Sequence, residues 1–327
     1  MIPEDIKSIE LRTEFFQDGS VDWESVCQLF HSLFNAYTFD DNGVELAQQI
    51  MVDWDLFTDQ STANRVVIEV LQRPECQDVS FVYNSKVYYN QEVLEAKKAW
   101  ENLKESIKKD TRFIIDISAL EALDLPIIMQ EALMEMENVK YYRARIADAS
   151  GRKYSTEDIG MPPASDVSAG RANPVGIPYL YLSKERETCC YEVRAAYLDR
   201  LYIGTFSIDV SKRPMVVNLI PRQRSQQLTS TSDATKILRS RFLLNAISLD
   251  LSRPMRRHDN SAVEYLPTQF ICEYVRKVIT DADGIMFQSS LQKDGVNIVL
   301  FNEDKVIREL VEEYVVEQIN LQIKKLD

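Results

Sequence analysis

The chain has 327 residues, of which 45% are hydrophobic and 27% charged, which is typical of globular proteins and long enough for two domains. No apolar run approaches the roughly 20 residues of a membrane-spanning helix, and the acidic start MIPEDIKSIE lacks the apolar core of a signal peptide. We therefore expect a cytoplasmic protein that does not bind membranes. Residues 1–139 carry 27 acidic and 11 basic residues, whereas the remainder carries 24 and 27. Such an acidic first part argues against direct nucleic-acid binding, because that binding depends on basic residues that neutralise phosphates.

The first part of the chain is predicted to be mostly helical. Apolar residues between Val26 and Tyr37 recur at helical spacing, which predicts a helix within residues 23–39. Similar patterns predict helices in segments 42–57, 61–72, 92–110 and 126–137. We interpret residues 1–138 as one helical domain.

The sequence changes character near residue 139, where short β-like runs become frequent. Strands are predicted within 139–148, 177–183, 202–210, 214–220, 283–290 and 296–301, and helices within 187–198, 232–249 and 267–281. The chain closes on a predicted helix over 303–326, because Ile307, Leu310, Val311, Tyr314 and Val315 form one apolar stripe. The fold class is therefore α+β, with a mixed α/β domain over 139–327 that ends in a C-terminal helix. The missing G-x-G-x-x-G motif disfavours a dinucleotide-binding Rossmann domain.

The cysteines and histidines are too few and too scattered to indicate a disulfide framework or a metal site. The five cysteines are an odd number without a C-x-x-C pair. Only two histidines are present, which disfavours a histidine-based triad or metal centre. We therefore expect neither a metal site nor a disulfide framework.

Four polar residues of the second part lie where predicted strands meet loops or helices: Arg143, Tyr181, Glu192 and Ser289. Cleavage of the nicotinamide–ribose bond of NAD suits this set, because nicotinamide leaves as a neutral molecule and needs no proton. A single carboxylate can stabilise the positive charge that develops on the ribose. Arginine can bind the pyrophosphate, the aromatic ring can hold nicotinamide, and the serine can contact a phosphate or the nucleophile.

The motifs around these residues resemble the RES domain, a toxin-type family named for its arginine, glutamate and serine. The matching segments are YYRAR with Arg143, GRANPVGIPYLYLS with Tyr181, Glu192 eleven residues later, EYLPTQFICEYVRK, and DGIMFQSS. The serine role is assigned to Ser289 rather than Ser290. The resemblance covers residues 140–305.

The resemblance implies an ADP-ribosyltransferase-like fold and an enzyme that degrades NAD by phosphorolysis or hydrolysis. NAD is then a substrate and not a cofactor, and inorganic phosphate is the co-substrate in the first alternative. Glu192, Arg143, Tyr181 and Ser289 are expected to be catalytic. The expected substrate-binding residues are Arg171, Arg145, Gly170, Asn173, Gly176, Gln269 and Asn297. Many family members are toxins that a DNA-binding antitoxin neutralises, so an antitoxin or regulatory protein is an expected partner.

Two regions distinguish this chain from compact family members: the helical first domain and an insertion over 221–260, whose residues 221–236 read as a mobile loop. The first domain resembles the HEPN-like helical domain that precedes some RES domains. It lacks the R-x-x-x-x-H motif of nuclease versions, so we interpret it as a regulatory or partner-binding domain. Protein ADP-ribosylation and a non-enzymatic partner-binding module remain alternative functions, and a homo-oligomer remains open.

Overall fold

The computed structural model describes residues 6–17, 20–76, 80–148, 151–220, 228–254 and 261–319. The chain divides into two compact units, one of residues 1–101 and 221–244, the other of residues 102–220 and 245–327. Helices α5 (Gln91–Lys109) and α9 (Ala234–Ser252) each contribute residues to both units. No helix in the described ranges has the length and apolar character that crossing a membrane requires.

The first unit is mostly helical, with two small antiparallel sheets. Besides parts of α5 and α9, its helices are α1 (Ile9–Glu14), α2 (Trp23–Asn35), α3 (Leu46–Trp54) and α4 (Gln60–Leu71). Its strands are β1 (Phe16–Gln17) with β2 (Ser20–Val21), and β3 (Tyr37–Glu45) with β4 (Lys86–Tyr89). The predicted apolar stripe of α2 is buried from Val26 to Phe34, and Asp22 caps the helix by accepting the N–H groups of Glu24 and Ser25.

The first unit also contains one disulfide, which the number and spacing of the cysteines did not predict. Cys27 on α2 is bonded to Cys76, and their Cα atoms are 5.4 Å apart. The two residues are 49 positions apart in sequence. Tertiary packing brings them together, which a search for short cysteine spacings cannot detect. Cys189, Cys190 and Cys272 are free.

The second unit is built on one mixed eight-stranded sheet. Its strands are β5 (Leu133–Glu135), β6 (Tyr141–Ile146), β7 (Leu180–Ser183), β8 (Arg200–Ile208), β9 (Met215–Asn218), β10 (Gly284–Gln288), β11 (Val296–Leu300) and β12 (Val306–Val315). Their order is β12-β8-β6-β7-β11-β10-β9-β5. Strands β9 and β10 run parallel, and the other neighbouring pairs are antiparallel.

Two apolar clusters support the sheet of the second unit. Tyr141 and Phe206 belong to one cluster. Ala144 and Leu201 belong to the other, together with Cys189 of helix α8 (Arg186–Glu192). Burial of Cys189 therefore fixes α8 against the sheet. The remaining helices are α6 (Ser118–Glu121), α7 (Leu125–Glu131), α10 (Ser261–Glu264) and α11 (Leu266–Val278).

Two predicted helices of this unit differ from the structure, one over all of its described residues and one in its second half. The predicted C-terminal helix is strand β12 over Val306–Val315, which pairs with β8. A register shift between Arg308 and Leu310 interrupts the alternation of this strand, so its half-buried residues acquire helix-like spacing. The helix predicted over 126–137 ends at Glu131, because the following residues pair with β9 as β5.

The limits of the compact units differ from the predicted domain boundary after residue 138. Segment 102–138 belongs to the second unit, and segment 221–244 belongs to the first. The functional division into 1–138 and 139–327 stays a prediction. The predicted mobile loop lies partly outside the described residues, and from Ala234 onward it is helix α9.

Candidate active site

A cavity of about 480 Å³ lies within the second unit, between β6, β7, β11, α8 and the loop before β7. This volume falls in the range of about 300–1,000 Å³ that small-molecule sites occupy. Eight of the eleven predicted site residues line it: Arg143, Arg145, Gly170, Arg171, Asn173, Tyr181, Glu192 and Asn297. The described lining residues do not include the other three, Gly176, Gln269 and Ser289.

Helix α8 carries Glu192 into the cavity as its last residue. The start of the helix is fixed by Glu185, whose carboxylate accepts the N–H of Val296 at 3.1 Å and the hydroxyl of Thr188 at 3.0 Å. Gly295 allows this approach, because a Cβ atom there would lie 2.7 Å from the Thr188 hydroxyl. The short β7–α8 connection and this anchor together determine where Glu192 lies.

One oxygen of the Glu192 carboxylate is held by two side chains. Its Oε1 atom accepts a hydrogen bond from Ser289 Oγ at 2.7 Å and another from Asn297 Nδ2 at 2.7 Å. Both donors are buried, and they come from the end of β10 and from β11. Ser290, the neighbour of Ser289, lines the cavity itself. The two serines thus differ in position: Ser289 supports the carboxylate, and Ser290 faces the space beside it.

Arg143 and Arg145 lie two residues apart on β6, and both line the cavity. Among the described residues, the buried Nε and Nη1 atoms of Arg143 have no hydrogen-bond partner. Burial lowers the pKa of Arg143 to about 10, and the charge of Arg145 acts in the same direction. Arg145 donates to the carbonyl of Gly160 at 3.1 Å. A buried guanidinium group with unused donors suits an anionic ligand.

Tyr181 lines the cavity, but its hydroxyl is committed to the loop before β7. It donates to Asn173 Oδ1 at 2.7 Å and accepts the N–H of Ala172 at 3.1 Å. Burial raises the pKa of Tyr181, so the phenol stays protonated near neutral pH. Asn173 in turn donates to the carbonyls of Ser168 and Pro174. The arrangement gives Tyr181 a supporting role in the cavity wall and leaves its ring as the surface for a ligand.

Gly170 and Gln269 complete this loop. A Cβ atom on Gly170 would lie 2.3 Å from Asn173 Oδ1 and 2.7 Å from the Tyr181 hydroxyl, so the close approach requires glycine. Gln269 donates to the carbonyls of Gly170 and Asn173 at 2.8 and 3.0 Å. Gln269 therefore holds the loop from behind, on helix α11. Gly176 has a φ of +78°, which is a backbone requirement of the same loop.

Arg171 is bound to the end of a helix. Its Nη1 atom donates to the carbonyl of Leu251 at 2.6 Å and to that of Arg253, at the C-terminus of α9. Cations are favoured at this end of a helix. Burial lowers the pKa of Arg171. The guanidinium group thus acts as a cap for α9 while lining one side of the cavity.

Comparison with known families identifies the second half of the chain. A family model of the RES domain matches residues 140–323, which is more than half of the sequence. The chain belongs to the RES family. Comparison with curated proteins and with solved structures gave no match.

The RES match begins one residue before β6 and contains the whole cavity lining. Membership of the RES family is consistent with an NAD-related toxin or enzyme. The match does not extend to the first unit, for which the HEPN-like interpretation stays a prediction. Within the described part of the chain, no group of three or more histidine, cysteine, aspartate or glutamate side chains is arranged to hold a metal ion.

Two residues that support the cavity wall and its carboxylate were not recognised in the sequence. Ser183 donates to Asn297 Oδ1 at 2.8 Å, and Thr268 donates to the carbonyl of Arg171 at 2.6 Å. Both are buried hydroxyl groups whose partners lie far away in sequence. Ser183 ends the YLYLS motif, and Thr268 precedes Gln269, so their position beside predicted residues was the only available signal.

Proposed function

We propose that the protein cleaves the nicotinamide–ribose bond of NAD, with Glu192 stabilising the ribosyl cation. The bond breaks with its electron pair going to the ring nitrogen of nicotinamide, which leaves as a neutral base. Phosphate or water then attacks the anomeric carbon, and water loses a proton in that step. The observation that carries the proposal is the anchoring of Glu192 Oε1 by Ser289 and Asn297, since a fixed carboxylate stabilises developing positive charge best.

The charge of the cavity supports a ligand that contains phosphates. Four arginines and two carboxylates line it, namely Arg143, Arg145, Arg171, Arg194, Asp166 and Glu192. The unused donors of Arg143 favour the pyrophosphate, and the Tyr181 ring offers a surface for an aromatic group. NAD combines these chemical features with a scissile bond that needs no acid catalyst.

The loop from Gly170 to Asn173 adds a preorganised wall. Tyr181, Gln269 and Thr268 hold it through hydrogen bonds from three directions. A wall that is ordered before the ligand binds lowers the entropic cost of binding and of catalysis. This feature favours a small-molecule substrate that the cavity encloses.

The decisive experiment is to incubate the purified protein with NAD and to measure free nicotinamide. Product analysis then separates the two nucleophiles. ADP-ribose 1″-phosphate that appears only when phosphate is present indicates phosphorolysis, whereas ADP-ribose under both conditions indicates hydrolysis. NAD that stays intact with and without phosphate would contradict the proposal and favour a non-enzymatic binding module.

Protein ADP-ribosylation is the second candidate function. The turn after Glu192 exposes Tyr197 and Leu198, which are 64% and 63% accessible. Exposed apolar residues close in sequence to the carboxylate are a feature that a protein acceptor could contact. Radiolabelled ADP-ribose retained on a protein, with little free ADP-ribose, would select this alternative over NAD degradation.

Depletion of NAD would arrest growth, so we further propose that the enzyme acts as a toxin under restraint. The restraint would come from an antitoxin or from the acidic first domain. Expression of the protein should lower cellular NAD and stop growth, and Glu192→Ala should relieve both effects. Growth arrest that persists in Glu192→Ala at unchanged NAD would contradict this role.

A further inference from the structure

We propose that Ser183 and Asn297 form a relay that positions the carboxylate of Glu192. The inference rests on the proposed function, because it assigns positioning residues to the same carboxylate. Neither residue needs to touch the reacting atoms for this role. The relay runs from the Ser183 hydroxyl to the Asn297 amide and from there to Glu192.

The orientation of the Asn297 amide in the relay is fixed by the carboxylate of Glu192. A carboxylate can only accept hydrogen bonds, so Asn297 must present its NH₂ group to Glu192. The amide oxygen then faces the opposite way, where Ser183 donates to it at 2.8 Å. With the amide reversed, its oxygen would face the carboxylate, and both acceptors would repel each other. The carboxylate therefore sets the amide orientation, and the Ser183 hydroxyl holds the amide in it, because successive hydrogen bonds strengthen each other.

The two relay residues lie on neighbouring strands in the middle of the sheet. Asn297 of β11 and Ser183 of β7 are directly opposite each other in an antiparallel pair inside the eight-stranded sheet. Their exposed fractions are 7% and 3%. Cross-strand neighbours at this spacing have little freedom to separate. The relay thus holds the side chain of Glu192, which lies on a helix, in a position that the sheet determines.

Glu192 needs such support because of where it lies. It is the last residue of α8, and its side chain is exposed. The C-terminal end of a helix carries partial negative charge, which disfavours a carboxylate. Donors from Ser289 and Asn297 to the same oxygen, Oε1, offset this effect. They also turn the second oxygen, Oε2, into the atom that can meet a ribose hydroxyl.

A double-mutant cycle on NAD cleavage tests the relay. We expect Asn297→Ala to lower kcat by roughly tenfold or more with little change in KM, because a hydrogen bond to a charged group is lost. Ser183→Ala should lower kcat by a few fold. The double variant should match Asn297→Ala alone, since Ser183 acts through Asn297. Ser183→Thr, which keeps the hydroxyl, should restore activity.

If the double variant lost kcat by the product of the two single losses, the relay would be overturned, because Ser183 would then act independently of Asn297. A loss confined to KM would assign Asn297 to direct ligand contact instead. Ser248→Ala and Asn218→Ala serve as matched controls in the same unit, on α9 and β9 and outside the cavity lining. Both controls should keep wild-type kcat.

A measurement without NAD separates failure of the relay from failure of the proposed function. The side-chain amide signal of Asn297 in an NMR spectrum is assigned by its loss in Asn297→Ala. It should shift in both Ser183→Ala and Glu192→Gln, and it should stay in place in Ser248→Ala. An unmoved signal would overturn the relay. Shifts as expected in a protein that leaves NAD intact would keep the relay and reject NAD cleavage.

Discussion

Ser289 and Glu192 are 97 residues apart in sequence and share a hydrogen bond of 2.7 Å, in which the hydroxyl donates to the carboxylate. The same Ser289 oxygen accepts the N–H groups of Leu291 and Gln292 at 3.2 and 3.3 Å. These two donors orient the hydroxyl so that its proton faces Glu192. The turn after β10 is thus linked to the end of α8.

Ser289→Ala should lower the rate of NAD cleavage by about tenfold to a hundredfold, because a buried hydrogen bond to a charged group is lost. Steady-state kinetics of nicotinamide release would measure the effect, which should appear mainly in kcat. Ser290→Ala is the matched comparison, because the neighbouring Ser290 lines the cavity, whereas the hydrogen bond to Glu192 comes from Ser289. A larger loss in Ser290→Ala would reverse the assignment of the two serines.

Arg143→Met should stabilise the protein while it abolishes activity. Within the described part of the chain, the buried Nε and Nη1 atoms of Arg143 have no hydrogen-bond partner, which costs free energy in the absence of a ligand. We expect the free energy of unfolding to rise by about 1–3 kcal/mol in urea titrations. Arg145→Met should give a smaller gain, because Arg145 already donates to Gly160. An Arg143→Met protein that is less stable than wild type would argue against a site prepared for an anion.

Gly170→Ala should cost about 1–3 kcal/mol of stability and most of the NAD cleavage, because its Cβ would displace Asn173 and Tyr181. Gly176→Ala provides the control. At Gly176 a Cβ meets nothing within 4 Å, and only the positive φ of +78° opposes the substitution. We expect a loss of about 1 kcal/mol there with near-normal kcat. Equal effects in the two variants would show that crowding in the loop is unimportant.

Reduction of the Cys27–Cys76 disulfide should destabilise the first unit. A cross-link between residues 49 positions apart is expected to contribute about 4 kcal/mol through the unfolded chain. Thermal unfolding with and without dithiothreitol would measure the difference. The double variant Cys27→Ala/Cys76→Ala should show one melting temperature under both conditions. A wild-type protein whose melting temperature ignores reductant and equals that of the double variant would exclude the disulfide in solution.

Elements with local determinants were predictable from the sequence. The stripe of α2 identifies both the helix and its buried face, because five of its apolar residues face the same core. The segment YYRAR likewise reads as strand β6, with Arg143 and Arg145 at alternate positions facing one side. In both cases the periodicity of the side chains matches the geometry of the element.

Features that depend on distant pairing were not predictable. Strand β12 has helix-like spacing because of its register shift near Arg308, and only its pairing with β8 makes it a strand. The role of Ser183 depends on its being opposite Asn297, 114 residues away. Eight of the eleven predicted site residues line the cavity. Which of them support Glu192 and which face the cavity is a property of the sheet register.

The central claim is that one carboxylate, on Glu192, carries the cleavage of NAD. The most direct test compares nicotinamide release by wild type, Glu192→Gln and Glu187→Gln, the last being the same change on an exposed residue of the same helix. We predict that Glu192→Gln loses about a hundredfold or more in kcat, whereas Glu187→Gln keeps the wild-type rate. Equal nicotinamide release by wild type and Glu192→Gln would contradict the claim.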